Sequence, residues 1–193
     1  DYTGFGALTA NLVTGVVNAL STYDVQSKIV SNIENVRGTS YDDNITGDDT
    51  ANTLDGGYYG TDSLFGGGGN DLLIGGEGAD HLDGGNGQDT IDYSTSSFAV
   101  DVNLASGSGS GGDAAGDVIQ NVEHIVGSRY GDTLSGNTEN NTLVGGEGGD
   151  TLNGGNGTDT ADYSASDEGV RVDLGNGLGY AGDAAGDSLV NIE

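Results

Sequence analysis

Aspartates framed by glycine recur through this chain every nine residues, and that spacing is the chemistry the sequence offers. GGGGNDLLI (66–74), GGEGADHLD (75–83) and GGNGQDTID (84–92) place Asp71, Asp80 and Asp89 sixth, and Leu73, Leu82 and Ile91 eighth. GGEGGDTLN (145–153) and GGNGTDTAD (154–162) repeat the pattern with Asp150 and Asp159, with Ala161 in the second apolar place. A carboxylate is a hard anionic oxygen donor, and a glycine lets its own carbonyl approach closely. Oxygen donors in such number suit Ca2+, which takes six to eight of them at about 2.3–2.6 Å in tolerant geometry. Mg2+ needs a stricter octahedron and keeps its water. Zinc and copper favour nitrogen and sulfur, and this chain has two His and no Cys.

Each nonad dictates its own local structure. The Gly-rich half supplies positive φ and turns; the three residues around the eighth position form a short strand with one inward side chain. Two nonads make a coil of 18 residues, and coils stack about 4.8 Å apart. Leu64, Leu73, Leu82, Ile91, Leu134, Leu143 and Leu152 are expected to line a core one side chain thick. Stacking brings each acid beside the acid two nonads later: Asp62 with Asp80, Asp71 with Asp89, Asp43 with Asp62, Asp132 with Asp150. Asn52 with Asp71 and Asn141 with Asp159 lack one charge. Glycine carbonyls complete the expected Ca2+ sites, at Gly56, Gly66, Gly68, Gly75, Gly78, Gly84 and Gly87 in the first block, and at Gly145, Gly148, Gly154 and Gly157 in the second.

Weaker nonads extend both blocks upstream: GTSYDDNIT (38–46), GDDTANTLD (47–55) and the ten-residue GGYYGTDSLF (56–65), then GSRYGDTLS (127–135) and GNTENNTLV (136–144). Glu34 and Glu123 occupy the acid position one nonad earlier still. A longer period encloses the blocks at 38–92 and 127–162: DYSTSSFAVDVNL (92–104) returns 70 residues later as DYSASDEGVRVDL (162–174), and GGDAAGDVIQNVE (111–123) as AGDAAGDSLVNIE (181–193). We therefore expect one repeat region over 1–193, with units 1–91, 92–161 and a partial 162–193, cut from a longer array. FAVDVNL and GVRVDL alternate as half-buried strands and are expected to form longer coils that continue or cap the stack. The loops with Asp113, Asp117, Asp183 and Asp187 are either polar turns or additional Ca2+ loops. ALSTYDVQSK stands in their place in the first copy.

Composition agrees. Only 33% of residues are hydrophobic, 39 are Gly, and 31 acidic residues face 4 basic ones, for a net charge of −27. Such a chain buries too little apolar surface to offset its backbone entropy, and its charge opposes compaction. Bound divalent cations relieve both. Absence of a basic patch argues against nucleic acid and anionic membranes, no apolar run reaches membrane-spanning length, and the first residues lack the basic start of a signal peptide.

These nonads resemble the repeats-in-toxin (RTX) family, whose motif Gly-Gly-x-Gly-x-Asp-x-U-x binds calcium. The resemblance implies an all-β, right-handed parallel β-roll with several Ca2+ ions in its turns, folding as calcium binds. It also implies secretion from a Gram-negative bacterium through a type I secretion machinery, as part of a larger protein. The expected role is that of a folding scaffold or spacer and not an enzyme. The alternative is a calcium-dependent module that binds polysaccharide or a cell surface. Departures at Glu34, Asn52, Glu123, Asn141, Ala161 and the 56–65 insertion put calcium binding there in question.

Other motifs fall away. Asp42-x-Asn44-x-Thr46-Gly47 opens like an EF-hand loop but has Thr53 at its twelfth place. GSGSGG (107–112) lacks a strand–turn–helix context. His81 and His124 stand apart, and no Ser, His and Asp share a catalytic frame. Tyr93 and Tyr163, which follow each block, are expected to pack over the ends of the roll.

Overall fold

The computed structural model describes residues 6–20 and 25–193. The first residues of the opening copy and the middle of ALSTYDVQSK lie outside them. Among the described residues there is no α-helix; beside the 3-10 turns Gly112–Ala114 and Gly182–Ala184, regular structure consists of short strands. Two compact units share the chain: Asp1–Ile91 with Gly116–Val122, and Asp92–Ala115 with Glu123–Glu193.

In the first unit, Asn44–Thr46, Ser63–Gly68, His81–Asn86 and Val118–Gln120 pair in parallel, aligning Ile45, Leu64, Leu82 and Ile119. A second parallel ladder aligns Val36, Leu54, Leu73 and Ile91. The second unit repeats this, aligning Val102, Leu134, Leu152 and Leu189 in one ladder and Ile125, Leu143 and Ala161 in the other. This is a β-roll. All seven residues expected to line the core are fully buried. Each such side chain stabilises by about 1.5–3 kcal/mol, and each winding adds only two.

One expectation holds only in part. Neither FAVDVNL nor GVRVDL forms a longer coil; each opens an antiparallel hairpin, Asp101–Asn103 with Ser108–Ser110 and Arg171–Asp173 with Leu178–Ala181. Leu8–Asn11 and Val16–Leu20 make the same hairpin in the first copy. The turns read NLVTG, NLASG and DLGNG. Their first residue accepts an N–H three residues on: Thr14 to Asn11 Oδ1 at 2.8 Å, Ser106 to Asn103 Oδ1 at 2.9 Å, Asn176 to Asp173 Oδ1 at 3.3 Å. Gly15, Gly107 and Gly177 close them at φ +67°, +66° and +65°, a conformation costly to any residue with a Cβ. In the first two copies the opening strand still enters the parallel stack, Leu8–Asn11 beside Asn44–Thr46 and Asp101–Asn103 beside Thr133–Ser135, which is why Val102 is buried like a nonad leucine.

Candidate calcium sites

The acid of each nonad is tied to its neighbour by hydrogen bonds. Asp62 Oδ1 accepts the backbone N–H of Asp43 at 2.7 Å, and Asp80 Oδ1 that of Asp62 at 2.8 Å. Asp71 serves Asn52 and Asp89 serves Asp71; in the second unit Asp150 serves Asp132 and Asp159 serves Asn141. All six pairs expected from the nonad spacing are thus joined, each carboxylate holding the amide one winding before it.

The column continues where the spacing gives no hint of it. Asp117 Oδ1 accepts the Asp80 N–H and Asp187 Oδ1 the Asp150 N–H, each across 37 residues. Glu193 Oε2 accepts the Asp159 N–H at 2.7 Å. The hairpin insertion breaks the 18-residue rule, but Asp117-x-Ile119 and Asp187-x-Leu189 keep the acid-x-apolar frame that would have revealed these rungs. Asp113 and Asp183 stand outside the column; their backbone N–H groups bond to Ser96 and Ser166 Oγ.

The second carboxylate oxygen separates the rungs. Oδ2 of Asp62, Asp71, Asp150 and Asp159 is buried without a protein donor, although these residues are at most 2% exposed. A buried carboxylate oxygen without a partner is costly. Asp62 and Asp150 are pushed up to about 7 by burial and by neighbouring acids: Asp80, Asp43 and Asp42 for the first, Asp187, Asp132 and Asp183 for the second. Burial also raises Asp71. Burial raises Asp43, Asp132 and Asp187 as well, but their oxygens have protein donors: Asp187 Oδ2 accepts the Tyr163 hydroxyl at 2.7 Å, Asp43 is supplied by Leu8 and Thr39, and Asp132 by Val100 and Ser128.

Glycine builds the cradle. A Cβ on Gly56 would run into Asp62 Oδ2 and lie 2.7 Å from the Gly75 carbonyl oxygen; one on Gly66 would meet Asp71 Oδ2 and the Gly84 oxygen. Gly75, Gly84, Gly145 and Gly154 likewise abut the acid of their own nonad. The fourth-position glycines Gly78, Gly87, Gly148 and Gly157 press on the backbone of the winding before them. Gly68 does not: nothing lies nearer than 3.5 Å, and Gly69, at φ +104°, fills that role. Among the described residues no three His, Cys, Asp or Glu side chains gather into a metal-holding group. A cation bound here must therefore draw on carbonyl oxygens beside one or two carboxylates, a donor set that fits Ca2+.

Residues 31–57, 57–91 and 126–161, just over half of the chain, match the RTX calcium-binding nonapeptide repeat (4 copies). The chain belongs to this family. Its RTX repeats bind Ca2+ and make a structural, calcium-binding module. Among curated proteins none matches the chain. No helix among the described residues is long and apolar enough to cross a membrane.

Proposed function

We propose that residues 1–193 act as one RTX region that orders on binding extracellular calcium, and that this ordering serves as scaffold or spacer in a larger secreted bacterial protein. The carrying observation is the set of buried, donorless Oδ2 atoms on Asp62, Asp71, Asp150 and Asp159, each set against glycine. These acids, together with Asp80 and Asp89 of the same sequence pattern, would hold the ions with carbonyl oxygens of Gly56, Gly66, Gly75, Gly84, Gly145 and Gly154. A divalent cation supplies the positive charge that the 4 basic residues cannot.

With a core one side chain thick, the free chain is marginal, and binding energy becomes folding energy. Sites of extracellular type bind at about 10⁻⁴–10⁻³ M, so the chain stays open where calcium is scarce, is exported in that state, and closes outside. The test is far-UV circular dichroism and calorimetric titration with Ca2+ after chelation. An unchanged spectrum with no binding heat refutes this reading.

A second reading has its own observation. Tyr41, Tyr58 and Tyr59 are 58%, 67% and 58% exposed, and Gly60 lies against the Tyr41 carbonyl one winding back. Exposed rings on neighbouring turns offer stacking faces to a polysaccharide, whose binding would depend on calcium because the turns do. A glycan array probed with calcium and with chelator tests it; silence in both refutes it.

A further inference from the structure

The nonads differ in their second residue, and the carboxylates differ with it. Gly57, Gly67, Gly146 and Gly155 hold that place in the nonads of Asp62, Asp71, Asp150 and Asp159, at φ +122°, +102°, +91° and +100°. In these four nonads the acid keeps a buried Oδ2 with no protein donor.

Where the second residue carries a side chain, the amide points the other way. Thr39 N–H donates to Asp43 Oδ2 at 2.5 Å, and Ser128 N–H to Asp132 Oδ2 at 2.6 Å. The Thr39 hydroxyl adds a bond of 3.1 Å to Asp43 Oδ1, and the Ser128 hydroxyl one of 2.8 Å to Asp132 Oδ1. Asp48 and Asn137 N–H donate in the same way to Oδ1 of Asn52 and Asn141, both at 2.8 Å. Among the described residues, positive φ outside glycine occurs only at Asn32, Asn121 and Asn191, so Thr39, Asp48, Ser128 and Asn137 keep ordinary backbone. The cause is steric. Turning φ positive rotates the peptide that carries the residue's own N–H, and glycine alone does so cheaply.

We propose that the second residue of each nonad selects the counterpart of its acid: glycine rotates the amide away and leaves the carboxylate to Ca2+, while Thr39 and Ser128 supply protein donors in the ion's place. Asp43 and Asp132, which begin the recognisable nonads of their blocks, are then held by the chain itself and take no calcium. This rests on calcium binding by the glycine-type nonads and departs from the uniform site set expected from spacing.

The experiment counts Ca2+ bound at saturation, by equilibrium dialysis, for the full chain and for Ser128→Gly, Ser128→Ala and Thr39→Gly. Glycine frees the amide to rotate, so Ser128→Gly and Thr39→Gly are each expected to bind one ion more than the parent. Ser128→Ala removes the hydroxyl but keeps the backbone, and is expected to match the parent. Equal counts in all four proteins overturn the proposal, as does a gain in Ser128→Ala equal to that in Ser128→Gly. Should a glycine variant fail to order in calcium, hydrogen exchange on the calcium-loaded parent decides: protected Thr39 and Ser128 amides support the proposal, and freely exchanging ones overturn it. A parent that binds no calcium sinks the proposed function itself, a separate outcome.

Discussion

Replacing Asp150 by Asn should stabilise the calcium-free chain and destabilise the calcium-loaded one. Asn keeps the Oδ1 that accepts the Asp132 N–H at 2.8 Å and replaces the buried, donorless Oδ2 with a neutral amide NH2, a group that in Asn141 donates to the Glu123 carbonyl one winding back at 2.9 Å. Burial and neighbouring acids raise this carboxyl from 3.8 to about 7. At about 1.4 kcal/mol per pKa unit, ionising it in the folded state at pH 7.5 costs about 4 kcal/mol at most; solvent entry reduces that to about 2–4. Asn avoids this cost. With calcium at about a hundred times the dissociation constant, an intact site contributes about 2.7 kcal/mol, which Asn forfeits. The free chain can be driven to fold in chelator with an excluded osmolyte, read by circular dichroism, and the loaded chain unfolded with urea. Asp150→Asn should need less osmolyte than the parent in the first assay and less urea in the second. A variant more stable in both conditions, or less stable in both, refutes the assignment of Asp150 as a calcium carboxylate.

Gly66→Ala, whose Cβ meets Asp71 Oδ2 and the Gly84 carbonyl, should lose one bound ion and about 1–3 kcal/mol in calcium; Gly169→Ala, with nothing within 4 Å, should do neither. Leu143→Ala, fully buried and paired with Ile125 and Ala161, should cost about 2–5 kcal/mol in urea denaturation with calcium present. In chelator, stability should rise as pH falls through about 7. Asp62 and Asp150 titrate higher folded than unfolded, so the folded chain binds more protons in that window. Osmolyte-driven folding at several pH values checks the sign. In calcium the same acidification should release ions, seen with a calcium electrode.

The spacing of nine fixed which leucines are buried and which acids are neighbours, because each nonad folds by local rules and repeats without memory of the rest. Asp62 with Asp80 and Leu64 with Leu82 follow from counting alone. Counting fails where the chain inserts something between windings. The hairpins at 101–110 and 171–181 hide because SGSGS and NGLGY carry little alternation; their signal is instead the Asn-Leu or Asp-Leu pair followed three residues later by Gly. With them went the rungs at Asp117, Asp187 and Glu193. The unequal character of the acids was hidden for another reason. Whether an Oδ2 meets an amide or a void depends on a backbone rotation at Thr39 or Gly67, and composition does not report rotations.

Because the amide of one rung leans on the carboxylate of the next in the pairs of each unit, each column has a direction. Its front and rear are not interchangeable. Trimming residues from the rear strands a backbone N–H, as loss of Glu193 would for Asp159, which then needs an acceptor from solvent. Trimming from the front strands an anionic oxygen, which any passing cation can soothe. Shortened versions of this chain should therefore tolerate erosion from their leading edge better than from their trailing one.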